Sequence, residues 1–135
     1  MFAVGVSERP IWPVGGDGSA VPPPSLGPAE TRADVLVERR GDVALVTITG
    51  EIDIANADIT EQQILQCMKG EPASVRVDLT GLDYIDSAGL WILFRLAGSL
   101  TAAGMTGEVV VPVDGPVRRM VETAGVSAAI PVRTS

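Results

Sequence analysis

The hydrophobic positions of this chain follow a regular period only from about residue 34 onward. Residues 35–38 and 43–49 are rich in β-branched side chains, and residues 39–42 between them have the composition of a hairpin turn. The pattern therefore predicts two neighbouring strands at the start of a folded domain that spans residues 34–135.

Three later segments have the period of about 3.6 residues that is typical of amphipathic helices. We predict the first helix over residues 57–69, the second over residues 87–103 and the third over residues 116–124. The third has the clearest beginning, because Gly115 is placed at its N-cap and Pro116 at its first position, where a missing N–H costs nothing.

Short apolar runs predict the remaining strands, at residues 75–79, 108–111 and 130–132. Pro131 confines the last of them to an edge of the sheet, and we interpret residues 80–86 as a loop. The resulting order, β-β-α-β-α-β-α-β, predicts an α/β fold in which helices pack on a mixed β-sheet.

The N-terminal residues 1–33 differ from the rest of the chain. They hold six of the ten prolines and show neither a helical nor a strand period. We expect a disordered Pro/Gly-rich tail with polyproline character. The alternative is that residues 11–14, which include Trp12, dock as a short extended segment.

The amino-acid composition excludes several kinds of catalytic and metal site. The chain has no histidine and one cysteine, which excludes Ser-His-Asp triads, Cys-His pairs, His-ligated metals and cysteine-held clusters. We therefore expect no catalytic site, no metal and no cofactor. With 10 basic and 17 acidic residues the formal charge is −7, which argues against a nucleic-acid partner.

The mean hydropathy of +0.30 is high for so acidic a chain. No stretch is long and apolar enough to predict a membrane span, and the N-terminus lacks the basic and apolar regions of a signal peptide. We expect a cytoplasmic protein with an apolar core and an apolar contact surface.

The segment 78–90 leads from the end of a strand into the start of a helix, which is the usual functional edge of an α/β sheet. Ser87 is placed where it would cap the second helix, and Asp83 and Asp86 would then belong to a solvated loop. Gly89 in the first turn is a poor helix former that allows another backbone or a ligand to approach closely.

Trp91 and Arg95 follow Ser87 at intervals of four residues, so the three side chains share one face of the second helix. The opposite stripe, which we expect to face the core, consists of Leu90, Leu93, Ala97 and Leu100. Trp91 is thus predicted to lie outside the core, which suggests a contact site because Trp and Arg dominate interface energetics.

Several sequence blocks, in this order, resemble the STAS domain and in particular the bacterial anti-sigma factor antagonists. They are Gly-Glu-Ile-Asp at 50–53, Asp-Leu at 78–79, Ile-Asp-Ser-Ala-Gly-Leu at 85–90, Gly-Pro-Val-Arg-Arg-Met at 115–120 and Ala-Gly-Val at 124–126. The resemblance covers about three quarters of the chain.

This resemblance implies that Ser87 is a phosphate acceptor. The implied partner is an anti-sigma factor with a GHKL-type serine kinase domain, which phosphorylates the antagonist, and a serine phosphatase resets it. The unmodified antagonist binds the anti-sigma factor and frees a sigma factor, whereas the phosphorylated form does not bind.

The resemblance also places the partner surface on the loop that matches residues 50–55 and on the following helix. The residues implied there are Asp53, Ile54, Asp86, Ser87, Ala88, Gly89, Trp91 and Arg95. Ala88 replaces a frequent Ser or Thr, which removes a neighbouring hydroxyl but leaves the acceptor. Trp91 replaces a small residue, which implies a different choice of partner. Many relatives have a fourth helix after the last strand; without it, exposed sheet surface would favour a homodimer or coverage by the tail.

Two alternatives remain open from the sequence. The same domain could be a non-switching STAS subunit that docks permanently on a lipid-transport ATPase. Cys67 is interpreted as a small apolar core residue, and redox sensing is the alternative, with Lys69 as the one basic neighbour that would lower its pKa.

Overall fold

A computed structural model describes residues 32–135, and the strand-forming segments in it lie largely where the hydrophobic pattern predicts. The elements in chain order are β1 (Ala33–Arg40), β2 (Val43–Ile52), α1 (Ala57–Leu65), β3 (Ser74–Asp78), β4 (Leu82–Ile85), α2 (Ser87–Ala102), β5 (Thr106–Val111), α3 (Pro116–Ala124) and β6 (Val132–Thr134). This arrangement of strands and helices confirms the predicted α/β class.

The strands form one mixed sheet in the order β1-β2-β3-β5-β6, and β4 also pairs with β2. β1 and β2 are antiparallel and are joined by a tight turn, whereas every other pair is parallel. Parallel neighbours need crossover connections, and α1, α2 and α3 supply them. The carboxyl ends of β2 and β4 consequently meet at one edge of the sheet, and α1 and α2 begin there.

Gly50 allows β2 to change partners. Residues 43–47 of β2 pair with β3, residues 50–52 pair with β4, and the register shifts between Gly50 and Glu51. The φ angle of Gly50 is +94°, and a Cβ atom there would collide with the carbonyl oxygen of Arg32. Glycine is therefore required at the irregularity that directs the end of β2 toward the start of α2.

The helices cover one face of the sheet with a continuous apolar core. Its fully buried side chains include Val46, Ile48, Ile52, Ile64, Val75, Val77, Ile85, Ile92, Leu93, Leu96 and Leu100. Successive side chains of a strand point to opposite faces, so the alternation in β2 of buried Ala44, Val46 and Ile48 with half-buried neighbours identifies the covered face. The predicted core stripe of α2 is confirmed, because all four of its residues are buried.

The other face of the sheet carries a charged cluster across three strands. Arg76 on β3 donates from Nε to Oε1 of Glu108 on β5 at 3.0 Å, and Arg133 on β6 binds the second oxygen of the same carboxylate. Burial raises the pKa of Glu108, but the two arginines outweigh that effect and hold the pKa below its ordinary value. Glu108 thereby links the short last strand to the middle of the sheet.

Several predicted boundaries need correction. Residues 80–86, interpreted as a loop, contain the strand β4, which pairs with the end of β2. The two middle residues of β4, Asp83 and Tyr84, are both exposed, so its sequence lacks the alternation of apolar and polar positions that predicts a strand. The first helix ends at Leu65 and continues only as the 3₁₀ turn Gln66–Met68.

The other corrections concern strand bounds. β1 spans Ala33–Arg40 instead of residues 35–38, β2 continues to Ile52, β5 begins at Thr106, and the last strand is Val132–Thr134 instead of residues 130–132. Of the tail predicted over residues 1–33, residues 1–31, with the docked Trp12, lie outside the described residues, and Ala33 belongs to β1. None of the helices in residues 32–135 has the length and apolarity needed to cross a bilayer.

Candidate functional site

The start of α2 is capped by Asp86 and not, as predicted, by Ser87. The Oδ1 atom of Asp86 accepts hydrogen bonds from the backbone N–H groups of Ala88 at 2.8 Å and Gly89 at 3.3 Å. Ser87 is the first residue of the helix, and its side chain is exposed. Both residue types are good N-caps, but Asp86 stands one position earlier and caps the helix, so the Ser87 hydroxyl takes no part in the cap.

Gly89 brings the first turn of α2 into the core. It is buried, and a Cβ atom at this position would lie 2.5 Å from Cγ1 of Ile85 and 3.0 Å from Cγ2 of Ile52. The close approach expected at this glycine is therefore to the ends of β2 and β4. Any contribution of Gly89 to partner binding is consequently indirect.

The β2–α1 loop, residues 53–56, lies beside this first turn and is closed by its own polar groups. Asn56 accepts a hydrogen bond from Asp53 N through Oδ1 at 3.1 Å and donates from Nδ2 to the carbonyl of Glu51 at 2.9 Å. The Oδ1 atom of Asp53 accepts from Ala55 N at 2.9 Å. These bonds fix the loop in a shape that leaves Ile54 83% exposed.

One carboxylate joins the loop to the helix. The second oxygen of Asp86, Oδ2, accepts a hydrogen bond from Ile54 N at 3.2 Å, while Oδ1 caps α2. In addition, the backbone N–H of Asp86 donates to the carbonyl of Ile52 at 3.1 Å. Ile54, Asp86 and Ser87, which are predicted as parts of one surface, are thus adjacent in the structure.

Trp91 continues this surface one turn along α2. Its side chain is 61% exposed, and its ring meets the half-buried ring of Phe94 edge-on, with centroids 6.2 Å apart and planes 63° apart. The prediction that Trp91 lies outside the core is confirmed. An aromatic pair of this geometry holds the Trp91 ring in a preferred orientation at the surface.

Arg95, one further turn along, is paired with Glu61 of α1. Its Nε and Nη2 atoms donate to the two carboxylate oxygens of Glu61, each at 2.8 Å. The hydrogen bonds from Arg95 lower the pKa of Glu61, and those to Glu61 raise the pKa of Arg95. The charge of Arg95 is therefore already compensated within the chain, and the pair ties α1 to α2.

Three residues that the sequence analysis did not select also belong to this region. Asn56 closes the loop, Glu61 holds Arg95, and Ile59 on α1 is 60% exposed. Glu61 and Arg95 are 34 residues apart, so local pattern alone does not indicate their pairing. Ala88, one of the predicted surface residues, is half-buried beneath its exposed neighbours.

The single cysteine lies away from this surface, in the 3₁₀ turn after α1. Cys67 is 2% exposed, and burial raises the pKa of its thiol to about 11. A thiol this protonated is a poor nucleophile, in agreement with the interpretation as a core residue. Within residues 32–135, no group of three or more Cys, Asp or Glu side chains is arranged to hold a metal ion.

Comparison with solved structures identifies similar folds among anti-sigma factor antagonists. One from Mycobacterium paratuberculosis is 27% identical over 76% of this chain and 86% of that protein, with a TM-score of 0.69. The Bacillus antagonist SpoIIAA is 15% identical over 73% of this chain. In the unphosphorylated structure the match covers 87% of SpoIIAA with a TM-score of 0.61. In the phosphorylated structure it covers 90% of SpoIIAA with a TM-score of 0.55. At that identity, SpoIIAA shows the shared fold alone.

Comparison with curated protein sequences gives no match. A family model described as the STAS domain matches residues 34–135, the whole of the predicted domain. The six-stranded mixed sheet with its helices on one face agrees with that match. The chain belongs to the STAS domain family.

Proposed function

We propose that this protein is an anti-sigma factor antagonist, which binds an anti-sigma factor through the β2–α1 loop and α2 and thereby frees a sigma factor. The observation that carries the proposal is the exposed Ser87 at the first position of α2, joined through Asp86 to the exposed Ile54. The similarity to the mycobacterial antagonist supports the same role. In this role the protein acts in the cytoplasm by binding, and it catalyses no reaction.

The surface around Ser87 has the composition of an interface. Ile54 and Trp91 supply exposed apolar area, and Ile59 adds to it from α1. Asp53 and Asp58 border these side chains with negative charge, while Arg95 is neutralised by Glu61. The complementary partner surface has an apolar recess bordered by basic side chains, because apolar centres supply affinity and charges steer association.

Ser87 is the proposed phosphate acceptor. A serine-kinase domain on the anti-sigma factor would bind ATP and accept the hydroxyl proton of Ser87. The Ser87 oxygen then forms a bond to the γ-phosphorus as the bond to the ADP oxygen breaks. The acceptor needs no base of its own, which fits a chain without histidine. A serine phosphatase would hydrolyse the phosphoserine and restore binding.

Phosphorylation would prevent binding because the new charge is not compensated. A phosphate at the start of a helix is ordinarily stabilised by free N–H groups, but Asp86 already occupies those of Ala88 and Gly89. The Arg95 guanidinium is engaged with Glu61. A charge of about −1.5 to −2 would therefore face the partner directly. A penalty of about 3 kcal/mol would weaken binding on the order of 100-fold.

The fold itself would tolerate this modification, since Ser87 is exposed. SpoIIAA, which shares the fold, has been solved in both unphosphorylated and phosphorylated forms. That pair supports a switch that acts at the surface and leaves the fold intact. The homodimer expected from the sequence stays a prediction.

The deciding experiment is a pull-down with the wild-type protein beside Ser87→Glu. Wild type should capture an anti-sigma factor with a serine-kinase domain, and Ser87→Glu should lose it by roughly 100-fold in affinity. Gly98→Glu adds the same charge to the same exposed face of α2, near its other end, and should bind as wild type does.

Intact-mass spectrometry after incubation with that partner and ATP tests the acceptor separately. Wild type should gain the mass of one phosphate group, and Ser87→Ala should gain none. Uptake by Ser87→Ala would place the acceptor elsewhere. Capture of a lipid-transport ATPase that is indifferent to Ser87→Glu would instead favour the non-switching subunit considered from the sequence.

A further inference from the structure

The β2–α1 loop has two sets of hydrogen bonds with different consequences. The bonds made by Asn56 and by the Asp53 side chain lie within residues 51–56 and fix the shape of the loop. They do not determine where the loop lies relative to α2. The pairing of β2 with β4 and the bond from Asp86 N to the Ile52 carbonyl hold the chain beside α2 as far as residue 52. Beyond residue 52, the hydrogen bond that joins the loop itself to the start of α2 runs from Ile54 N to Asp86 Oδ2, between residues 32 positions apart.

Asp86 is suited to this connection because its two oxygens point to different elements. Oδ1 receives the N–H groups of Ala88 and Gly89, and Oδ2 receives that of Ile54. The side chain is half-buried, so it has little surface to offer a partner directly. A carboxylate is an acceptor on both oxygens, a property that neither Asn nor Ser reproduces.

We propose that Asp86 is a positioning residue, which holds Ile54 against the partner by accepting the Ile54 N–H. The partner part of this inference rests on the proposed function. Ile54 is the most exposed large hydrophobic side chain of the described residues, and its backbone N–H is the group that Asp86 holds. Binding energy supplied by Ile54 then depends on Asp86, although Asp86 itself makes no partner contact.

The first test needs no partner. In Asp86→Ser the shorter side chain still caps α2 but does not span the distance to Ile54, because Ser is an effective N-cap with a single oxygen. The Ile54 amide should exchange its hydrogen about tenfold faster or more, while the Ala88 amide should change by less than about threefold. Unchanged exchange at Ile54 would overturn the proposal.

Asp86→Asn is the second variant, since its amide oxygen can replace Oδ1 while its NH₂ group cannot accept from Ile54. It is nearly isosteric with wild type and keeps the cap, which protects the experiment against a loss of folding in Asp86→Ser. The same faster exchange at Ile54 is expected. Protection at Ile54 equal to that of wild type in both variants would contradict the proposed role.

The second test is a double-mutant cycle with the anti-sigma factor recovered by the wild-type pull-down. Ile54→Ala removes the side chain and retains the N–H. Asp86→Ser and Ile54→Ala should each weaken binding about tenfold, and the double variant should be within about twofold of Ile54→Ala. A purely structural role for Asp86 would instead weaken binding equally in both backgrounds, and that additivity would overturn the proposal.

Wild-type protein that binds no anti-sigma factor would overturn the proposed function. Hydrogen exchange would still decide whether Asp86 places the loop.

Discussion

The two glycines of α2 stand in different surroundings, although they belong to one helix of 16 residues. At the first turn, the Asp86 carboxylate accepts hydrogen bonds from three backbone N–H groups, and Gly89 has no room for a methyl group. Near the other end, Gly98 has no neighbouring atom within 4 Å of a Cβ position, and Gly104 ends the helix with a φ angle of +75°. The difference follows the faces of the helix: Gly89 is buried against Ile85 and Ile52, Gly98 lies on the exposed face, and Leu96 and Leu100 bury the core face of the second half.

Among the substitutions that shorten a side chain of the proposed partner surface, Trp91→Ala gives the largest expected effect. Trp91→Ala should weaken anti-sigma factor binding by about 2 kcal/mol or more, roughly 30-fold, because exposed Trp side chains often anchor interfaces. The free energy of unfolding should change little, since Trp91 is 61% exposed. Isothermal titration calorimetry and urea denaturation measure the two quantities.

Ser99→Ala, on the other half of α2, serves as the control and should leave the affinity unchanged. If Trp91→Ala binds as tightly as wild type, the interface does not extend along α2 from Ser87.

The two glycines within α2 should respond in opposite directions to the same substitution. Gly89→Ala should lower the free energy of unfolding by about 1–3 kcal/mol, because the added methyl group collides with Ile85 and Ile52. Gly98→Ala should raise it by up to about 1 kcal/mol, because alanine is the better helix former and meets no neighbour there.

Urea denaturation of both variants beside wild type measures these shifts, with an unchanged slope confirming that the same unfolding is compared. Equal effects at Gly89 and Gly98 would show that the first turn of α2 can shift to accommodate a methyl group, despite its close approach to Ile85.

The pair between Glu61 and Arg95, midway along α2, should give the smallest effect and one that depends on pH. The pKa of Glu61 is lowered in the folded protein, so the carboxylate stabilises the fold above its unfolded pKa, near 4.5. That contribution is lost as the pH falls through the lower, folded pKa. The stability difference between wild type and Glu61→Gln should therefore be constant at neutral pH and shrink toward zero in acid.

Urea denaturation from about pH 7 to about pH 3 measures this difference. Arg95→Gln removes the other partner and should abolish the same acid-sensitive contribution. A difference that stays constant down to pH 3 would show that the pair does not stabilise the folded state.

Most of the architecture was predictable because it depends on local hydrophobic periods. The helix over residues 87–103 and the buried stripe on it follow from side-chain spacing alone, and they agree with the structure within one residue at the C-terminal end. β4 was not predictable in this way. Its four residues have no alternation, and the strand forms because Gly50 turns the end of β2 toward it.

The helix face shared by Ser87, Trp91 and Arg95 was predictable, but the hydrogen bonds around it were not. Ser87, Trp91 and Arg95 share a helix face by spacing, which the sequence displays directly. The choice of Asp86 over Ser87 as the cap has no local basis, since both are good caps. It is decided by the nearby N–H of Ile54, which only the folded sheet brings within reach.

The connectivity of β2 implies an order of assembly. The β1–β2 hairpin closes over a two-residue turn, so its contacts are local and should form early in folding. The bond between Ile54 and Asp86 closes a loop of 32 residues, so it cannot form until β3 and β4 have docked. A partly unfolded molecule that keeps the hairpin but has lost β4 would retain much of its β-structure. It would have no partner surface, so the ability to bind reports completed folding and not the presence of the sheet alone.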